Sequence, residues 1–104
     1  LPNFLFICSK NQWRSPTAEL LFKNRPDHTA RSAGTNNNAR IRVTQKMIDW
    51  ADVLFVMERK HHDLIRERFI LSNQPVIVLE IPDDYQFGDL ELIEISKVSL
   101  ADYL

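Results

Sequence analysis

Three features of the sequence predict an α/β fold, a three-layer α/β/α arrangement around a roughly four-stranded parallel sheet. Residues 4–7 (FLFI), 52–57 (DVLFVM) and 75–81 (PVIVLEI) are near-continuous apolar runs, the pattern of strands buried on both faces. Segments of helical length separate them, as βαβ crossovers require. The 104 residues hold a single cysteine, so an ordinary packed core rather than a disulfide framework must stabilise the chain.

The elements follow in order. The first strand, FLFI, runs into Cys8 and a polar loop. Ser15 and Pro16 then mark a helix start, the serine as a cap and Pro16 at a first helical position, where its missing N–H costs nothing. Ala18, Leu21 and Phe22 share one face of this helix, which must end near Pro26. HTARS (28–32) reads as a short strand entering the loop AGTNNNA. A second helix is expected over Thr44–Ala51, with Met47, Ile48 and Ala51 inward and Trp50 in the core. The strand at 52–57 leads to ERKHHDLIRERF, where Leu64, Ile65 and Phe69 have helical spacing among mixed charges. Within it, His61 and His62 read as solvated helix residues. Adjacent histidines do not share a helix face, and no cysteine nearby completes a ligand set, so no metal or other cofactor is expected. The third apolar strand opens on Pro75, which a strand start tolerates. PDDYQFGD (82–89) is a loop, and a final helix from Leu90 is expected to turn Leu90, Ile93 and the stem of Lys97 inward, with Tyr103 near its end. No repeat, low-complexity tract or linker divides the chain, so one domain is expected over 1–104.

Thirteen basic against fourteen acidic residues leave a net charge of -1, which argues against a nucleic-acid surface. No apolar run reaches membrane-spanning length, and the N-terminal residues carry no signal-like pattern. With the lone thiol, this makes a reducing, cytoplasmic setting the expectation, with no membrane partner and the oligomeric state open.

Parallel sheets place ligands at the carboxyl ends of strands. Cys8, the loop after Ser32 and the loop after Ile81 all lie at such ends. Residues 8–15, CSKNQWRS, spell Cys-x5-Arg-Ser. A loop of this length between strand and helix can turn successive backbone N–H groups inward, forming an oxyanion nest at a helix start. Arg14 can clamp two oxygens of a tetrahedral anion. The same field favours the thiolate of Cys8, and Ser15 can donate a hydrogen bond to it.

The stretch FLFICSKNQWRSPTAE resembles the N-terminal signature of the low-molecular-weight protein tyrosine phosphatase family, Cys-x-x-Asn-x-x-Arg-Ser-Pro-x-Ala-Glu, through Cys8, Asn11, Arg14, Ser15, Pro16, Ala18 and Glu19. SAGT (32–35) and ADVLFVM (51–57) resemble further family segments. The resemblance implies the phosphotyrosine protein phosphatase I-like fold and a phosphomonoester hydrolase. Its nucleophile would be Cys8, with the phosphate held by Cys8, Ser9, Lys10, Asn11, Gln12, Trp13, Arg14 and Ser15. It further implies an aspartate after the last strand as proton donor and then base. Asp83 aligns best, Asp84 is the alternative, and Trp13 and Tyr85 are candidates for the wall beside a substrate ring.

The sequence departs from the family pattern in four places. Trp13 stands where many members carry a second cysteine, so no disulfide within the chain can regulate Cys8. Lys10 stands where glycine is common, and Asp84 where proline is usual. The segment between SAGT and ADVLFVM is short, NNNARIRV replacing part of the family's aromatic wall, with Arg40 and Arg42 near the opening. Two further functions stay open beside a protein tyrosine phosphatase. One is a phosphate- or phosphopeptide-binding domain with little turnover; the other is a phosphatase of small metabolites.

Overall fold

Five of the six residues of the first strand, β1 (Asn3–Cys8), are buried, as a strand covered on both faces must be. The computed structural model describes residues 2–104. After β1 the chain forms α1 (Arg14–Leu20), β2 (Thr29–Gly34), α2 (Gln45–Trp50), β3 (Val53–Val56), α3 (Arg59–Arg68), β4 (Val76–Val78) and α4 (Leu90–Ser99). The four strands pair in parallel in the order β2-β1-β3-β4.

The two-residue alternation of β1 and β3 divides the core into two layers. Phe4, Phe6 and Phe55 point to the side covered by α1 and α4, where they meet Ala18, Phe22, Leu92 and Leu100. Phe6 stacks on Phe55 at 5.1 Å between ring centroids, and Phe4 meets Phe22 edge-on at 5.4 Å. Leu5, Ile7, Leu54 and Val56 point the other way, against Ile48 of α2 and Ile65 of α3. From β1 the chain first moves out to β2 and then returns across β1 to β3. That reversal opens a crevice at the carboxyl end of β1, where Cys8 sits.

The expected elements all form, with local corrections. Ser15 does not cap α1. The helix begins two residues earlier, at Arg14, with Trp13 in the cap position and no side-chain cap. Pro16 still falls in the first turn, where no intrahelical acceptor is lost. α1 ends at Leu20, short of Pro26. β2 runs on through Ala33 and Gly34, two residues assigned to loop from sequence. β4 is only three residues long because Glu80 takes φ 57, a left-handed conformation that ends the regular strand. Pairing resumes on either side of it, Leu79 N–H donating to Val56 O and Ile81 N–H to Met57 O, both at 2.8 Å. In α4 the expected register is wrong: Leu90 is 80% exposed, and Leu92, Ser96 and Leu100 are the buried positions. Lys97 lies exposed, 3.6 Å from Glu94. Trp50 packs against the second core layer with the Arg31 guanidinium 4.4 Å over its ring. No helix of the described residues is long and apolar enough to cross a membrane.

Candidate active site

The loop after β1 is built around Cys8, 3% exposed. The backbone carbonyls of Cys8, Ser9, Lys10 and Asn11 all accept hydrogen bonds from the segment after β2. Thr35 N–H donates to Cys8 O (3.0 Å), Asn36 N–H to Ser9 O (2.9 Å) and Arg40 N–H to Lys10 O (3.0 Å). Arg40 Nε–H donates to Asn11 O (2.9 Å). In a trans peptide the N–H opposes the preceding carbonyl, so drawing four carbonyls to one side turns the N–H groups of residues 9–12 to the other. Asn11 N–H accordingly meets Cys8 Sγ at 3.2 Å. The arrangement is an anion nest with the sulfur at its base.

Two features of the sequence permit it. Asn11 has φ 56, a conformation that asparagine tolerates better than most residues. Gly34 leaves room for the loop: a Cβ there would lie 2.5 Å from Ser9 O and 2.7 Å from Ala39 Cβ. The SAGT segment is thus a platform for the nest, and Ser32 Oγ donates to Glu19, tying β2 to α1.

Ser15, freed from capping, lies beneath the loop. Asn11 Nδ2 donates to Ser15 Oγ (2.8 Å), and the hydroxyl's own proton has two acceptors in reach, Cys8 Sγ at 3.0 Å and the Ala33 carbonyl at 3.4 Å, of which the sulfur is the nearer. Arg14 is 2% exposed and anchored at one end. Its Nη1 donates to Glu58 Oε2 (2.6 Å) and to Ile81 O (2.9 Å), and its Nε lies 3.6 Å from Asp83 Oδ1. Nη2 donates to nothing among the described residues. Burial pushes the Glu58 carboxyl upward, but the Arg14 guanidinium, with Lys60 and His61 adding, outweighs this and holds it below the usual carboxylate range.

A cavity of about 290 Å³ opens over the nest. Of the residues expected there, Cys8, Ser9, Lys10, Gln12, Trp13, Arg14 and Asp83 line it, together with Asn36 and Lys60. Asn11 and Ser15 are buried supports beneath it. Trp13, 38% exposed, stands at its wall. Asp84 and Tyr85 are not among the lining residues. Tyr85 instead packs against the core layer of Phe6 and Leu92, and burial, with Glu91 and Asp84 adding, raises its phenol above the ordinary range. A larger groove of about 580 Å³ runs between α1 and the start of β2, sharing only Gln12 with the first. It contains neither the thiol nor Arg14, so the chemistry belongs to the smaller cavity.

Glu58, Lys60 and His61 went unassigned to this site from sequence, and His61 was misplaced. It is fully buried, not solvated. Glu58 N–H donates to its Nδ1 (3.0 Å), and its Nε2 lies 2.8 Å from Ser9 Oγ. Burial, and next the Arg14 charge, lower its pKa to about 4. Neutral His61 therefore carries its one proton on Nε2. The available signal was the position of residues 58–61 directly after β3, the same strand-end rule that singled out Cys8.

Residues 3–51 match the family described as low molecular weight phosphotyrosine protein phosphatase. No curated protein sequence matches the chain significantly. Among solved structures, the fold is similar to a low molecular weight phosphotyrosine phosphatase from Vibrio cholerae O395. That match has 22% identity and a TM-score of 0.77, covering 98% of this chain and 95% of that one. An arginine phosphatase from Geobacillus stearothermophilus matches with 24% identity and a TM-score of 0.68 over 98% and 85%. A low molecular weight protein tyrosine phosphatase from Streptococcus pyogenes matches with 14% identity and a TM-score of 0.78 over 100% and 94%. At these identities the structural likenesses establish a common fold, a three-layer α/β/α architecture on a four-stranded parallel sheet.

Proposed function

We propose that the chain is a divergent member of the low molecular weight phosphotyrosine protein phosphatase family, whose model matches residues 3–51, and that it hydrolyses phosphate monoesters through a phosphocysteine intermediate. The observation that carries this reading is the meeting of Cys8, Arg14 and Asp83 around one cavity floored by inward N–H groups. Cys8 Sγ attacks phosphorus as the bond to the leaving oxygen breaks, and Asp83 gives that oxygen its proton. Asp83, now a carboxylate, takes a proton from water as the water attacks phosphorus. The S–P bond breaks and phosphate leaves. The N–H groups of residues 9–12 and Arg14 carry the equatorial charge in both steps. Ser15 steadies the sulfur as nucleophile and as leaving group. Asp83 is preferred to Asp84 because it reaches the cavity wall.

The substrate class we favour is an aryl phosphate such as phosphotyrosine, on the strength of Trp13 at the wall. An arginine phosphatase shares the fold, so phosphoarginine is the comparison to run. The 104 residues are taken to act as one domain, in a compartment reducing enough to keep Cys8 a thiol. One observation favours a second reading, phosphate binding without turnover: Asp83 sits 3.6 Å from Arg14 Nε. A carboxylate held there would be paired with the clamp rather than directed at a leaving group.

Turnover of p-nitrophenyl phosphate without added metal separates the readings. Cys8→Ser should abolish it, and Asp83→Ala should lower kcat by roughly 100-fold or more, the usual contribution of a general acid. Phosphate binding with no Cys8-dependent turnover would establish the binding domain instead. Loss of activity in Asp84→Ala alone would move the acid to Asp84. A phosphotyrosyl and a phosphoarginyl peptide then decide the substrate class.

A further inference from the structure

We infer that the Ser9 hydroxyl is a side-chain donor to the bound phosphate, and that His61, buried behind it, is the positioning residue that directs it. The inference rests on the cavity over Cys8 being a phosphate site, as the phosphatase reading holds.

The direction of each hydrogen bond follows from the one before. The backbone N–H of Glu58 has one proton and donates it to His61 Nδ1 at 3.0 Å, so this nitrogen is unprotonated. In a neutral imidazole the proton then lies on Nε2. Nε2 lies 2.8 Å from Ser9 Oγ, and there it can only donate. Ser9 Oγ thus accepts from His61, and its own proton is uncommitted: no other partner of this hydroxyl exists among the described residues. Ser9 lines the cavity beside Cys8 and Arg14. A hydroxyl polarised by accepting one bond is a stronger donor of the next. The acceptor best suited to it here is an oxygen of the anion held by the nest.

The groups around His61 keep it in this state. It is fully buried. Arg14 and Lys60 disfavour a positive ring, and Glu58 alone opposes them. A second proton on Nδ1 would also displace the Glu58 N–H, which belongs to the capping box that starts α3. His61 therefore couples three elements: the start of α3, the Glu58 partner of Arg14, and the second residue of the nest.

The test uses the full chain and inorganic phosphate, its affinity read by titration calorimetry, with p-nitrophenyl phosphate turnover measured separately. Three variants carry it: Ser9→Ala, His61→Asn and His61→Gln. Asn can keep an acceptor near the Nδ1 place, capping α3 while losing Ser9. The amide nitrogen of Gln can reach the Nε2 place. Ser9→Ala and His61→Asn should each weaken phosphate about tenfold, as expected for a hydrogen bond to a charged group. Their double variant should be no weaker than either single, and His61→Gln should recover most of the affinity. Ser9→Ala binding phosphate within twofold of wild type would overturn the inference, whatever His61 variants do to stability. So would a double variant losing the product of the two single effects. Absent turnover with Ser9-dependent phosphate binding would remove the phosphatase reading and leave this one standing; turnover with a silent Ser9→Ala would do the reverse.

Discussion

Mild acid should weaken the native state through His61, by an amount that follows from its burial. The unfolded chain takes up a proton at an ordinary imidazole pKa near 6.5, whereas the folded ring resists it down to about 4. Between these values the unfolded state binds a proton that the native state does not, so stability falls as pH falls from 6.5 to 4 and levels off below. At about 1.36 kcal/mol per pKa unit, the full effect is roughly 3 kcal/mol, of which about 2 kcal/mol is present at pH 5. The ring has no exposed surface, so solvent screening of this effect is weak. Against a total of about 5–15 kcal/mol for a native domain, the loss is large. Glu58 acts in the same direction at lower pH. Its folded pKa is depressed, so its contribution is full above the ordinary carboxylate value of 4.5 and is lost as pH falls through the folded value. Urea unfolding at pH 7, 6 and 5, on wild type and His61→Gln, isolates the imidazole, because the other histidines titrate in both proteins. The wild type should lose about 2 kcal/mol more than the variant between pH 7 and 5. Parallel pH profiles would refute the reasoning, as would an NMR titration of the His61 ring with a midpoint above 6.

Three more outcomes follow from the site and its supports. Glu58→Gln keeps an acceptor for Arg14 but removes the charge, and should cost about 2 kcal/mol in thermal unfolding and at least tenfold in kcat, since Arg14 loses its anchor. Unchanged kcat would mean that Ile81 O alone positions the guanidinium. Gly34→Ala should destabilise by about 1–3 kcal/mol and weaken phosphate binding more than tenfold, because the new Cβ meets backbone of the nest and not a movable side-chain tip; wild-type phosphate affinity would show that the loop yields freely. Glu80→Gly should raise Tm slightly, worth about 0.5 kcal/mol, as relief of the left-handed strain exceeds the entropy glycine loses on folding. A fall in Tm would show that the Glu80 side chain contributes more than its backbone costs.

How far the sequence alone reaches depends on the range of the forces involved. The strands were legible because a strand buried on both faces needs a continuous apolar run, and FLFI and VLFV are such runs. The nest was legible because its parts, from Cys8 to Ser15, are neighbours in the chain, and their residue types answer local demands: a left-handed position at Asn11, a proline in a first helical turn. Where more than one register satisfies the local pattern, the sequence is silent. LELIEISKVSL is apolar on several sides, and only contact with the sheet decides that Leu92 and Leu100 turn inward and Leu90 does not. The role of Ser15 is decided the same way, since its hydroxyl could serve a helix cap or a sulfur, and the fold brings the sulfur. The strand-end rule points to residues 58–61 as a group, but which of them partner the nest is decided by the β1–β3 pairing. Glu58 lies 44 residues from Arg14, and His61 lies 52 from Ser9. Ion pairing and burial act through space, and a charged stretch such as ERKHHD gives no local sign of which residue the sheet will carry beneath a cavity. The nucleophile and the anion nest are written in the first strand and its loop; what holds and tunes them, and what brings Asp83 to the same cavity, exists only once the strands have paired.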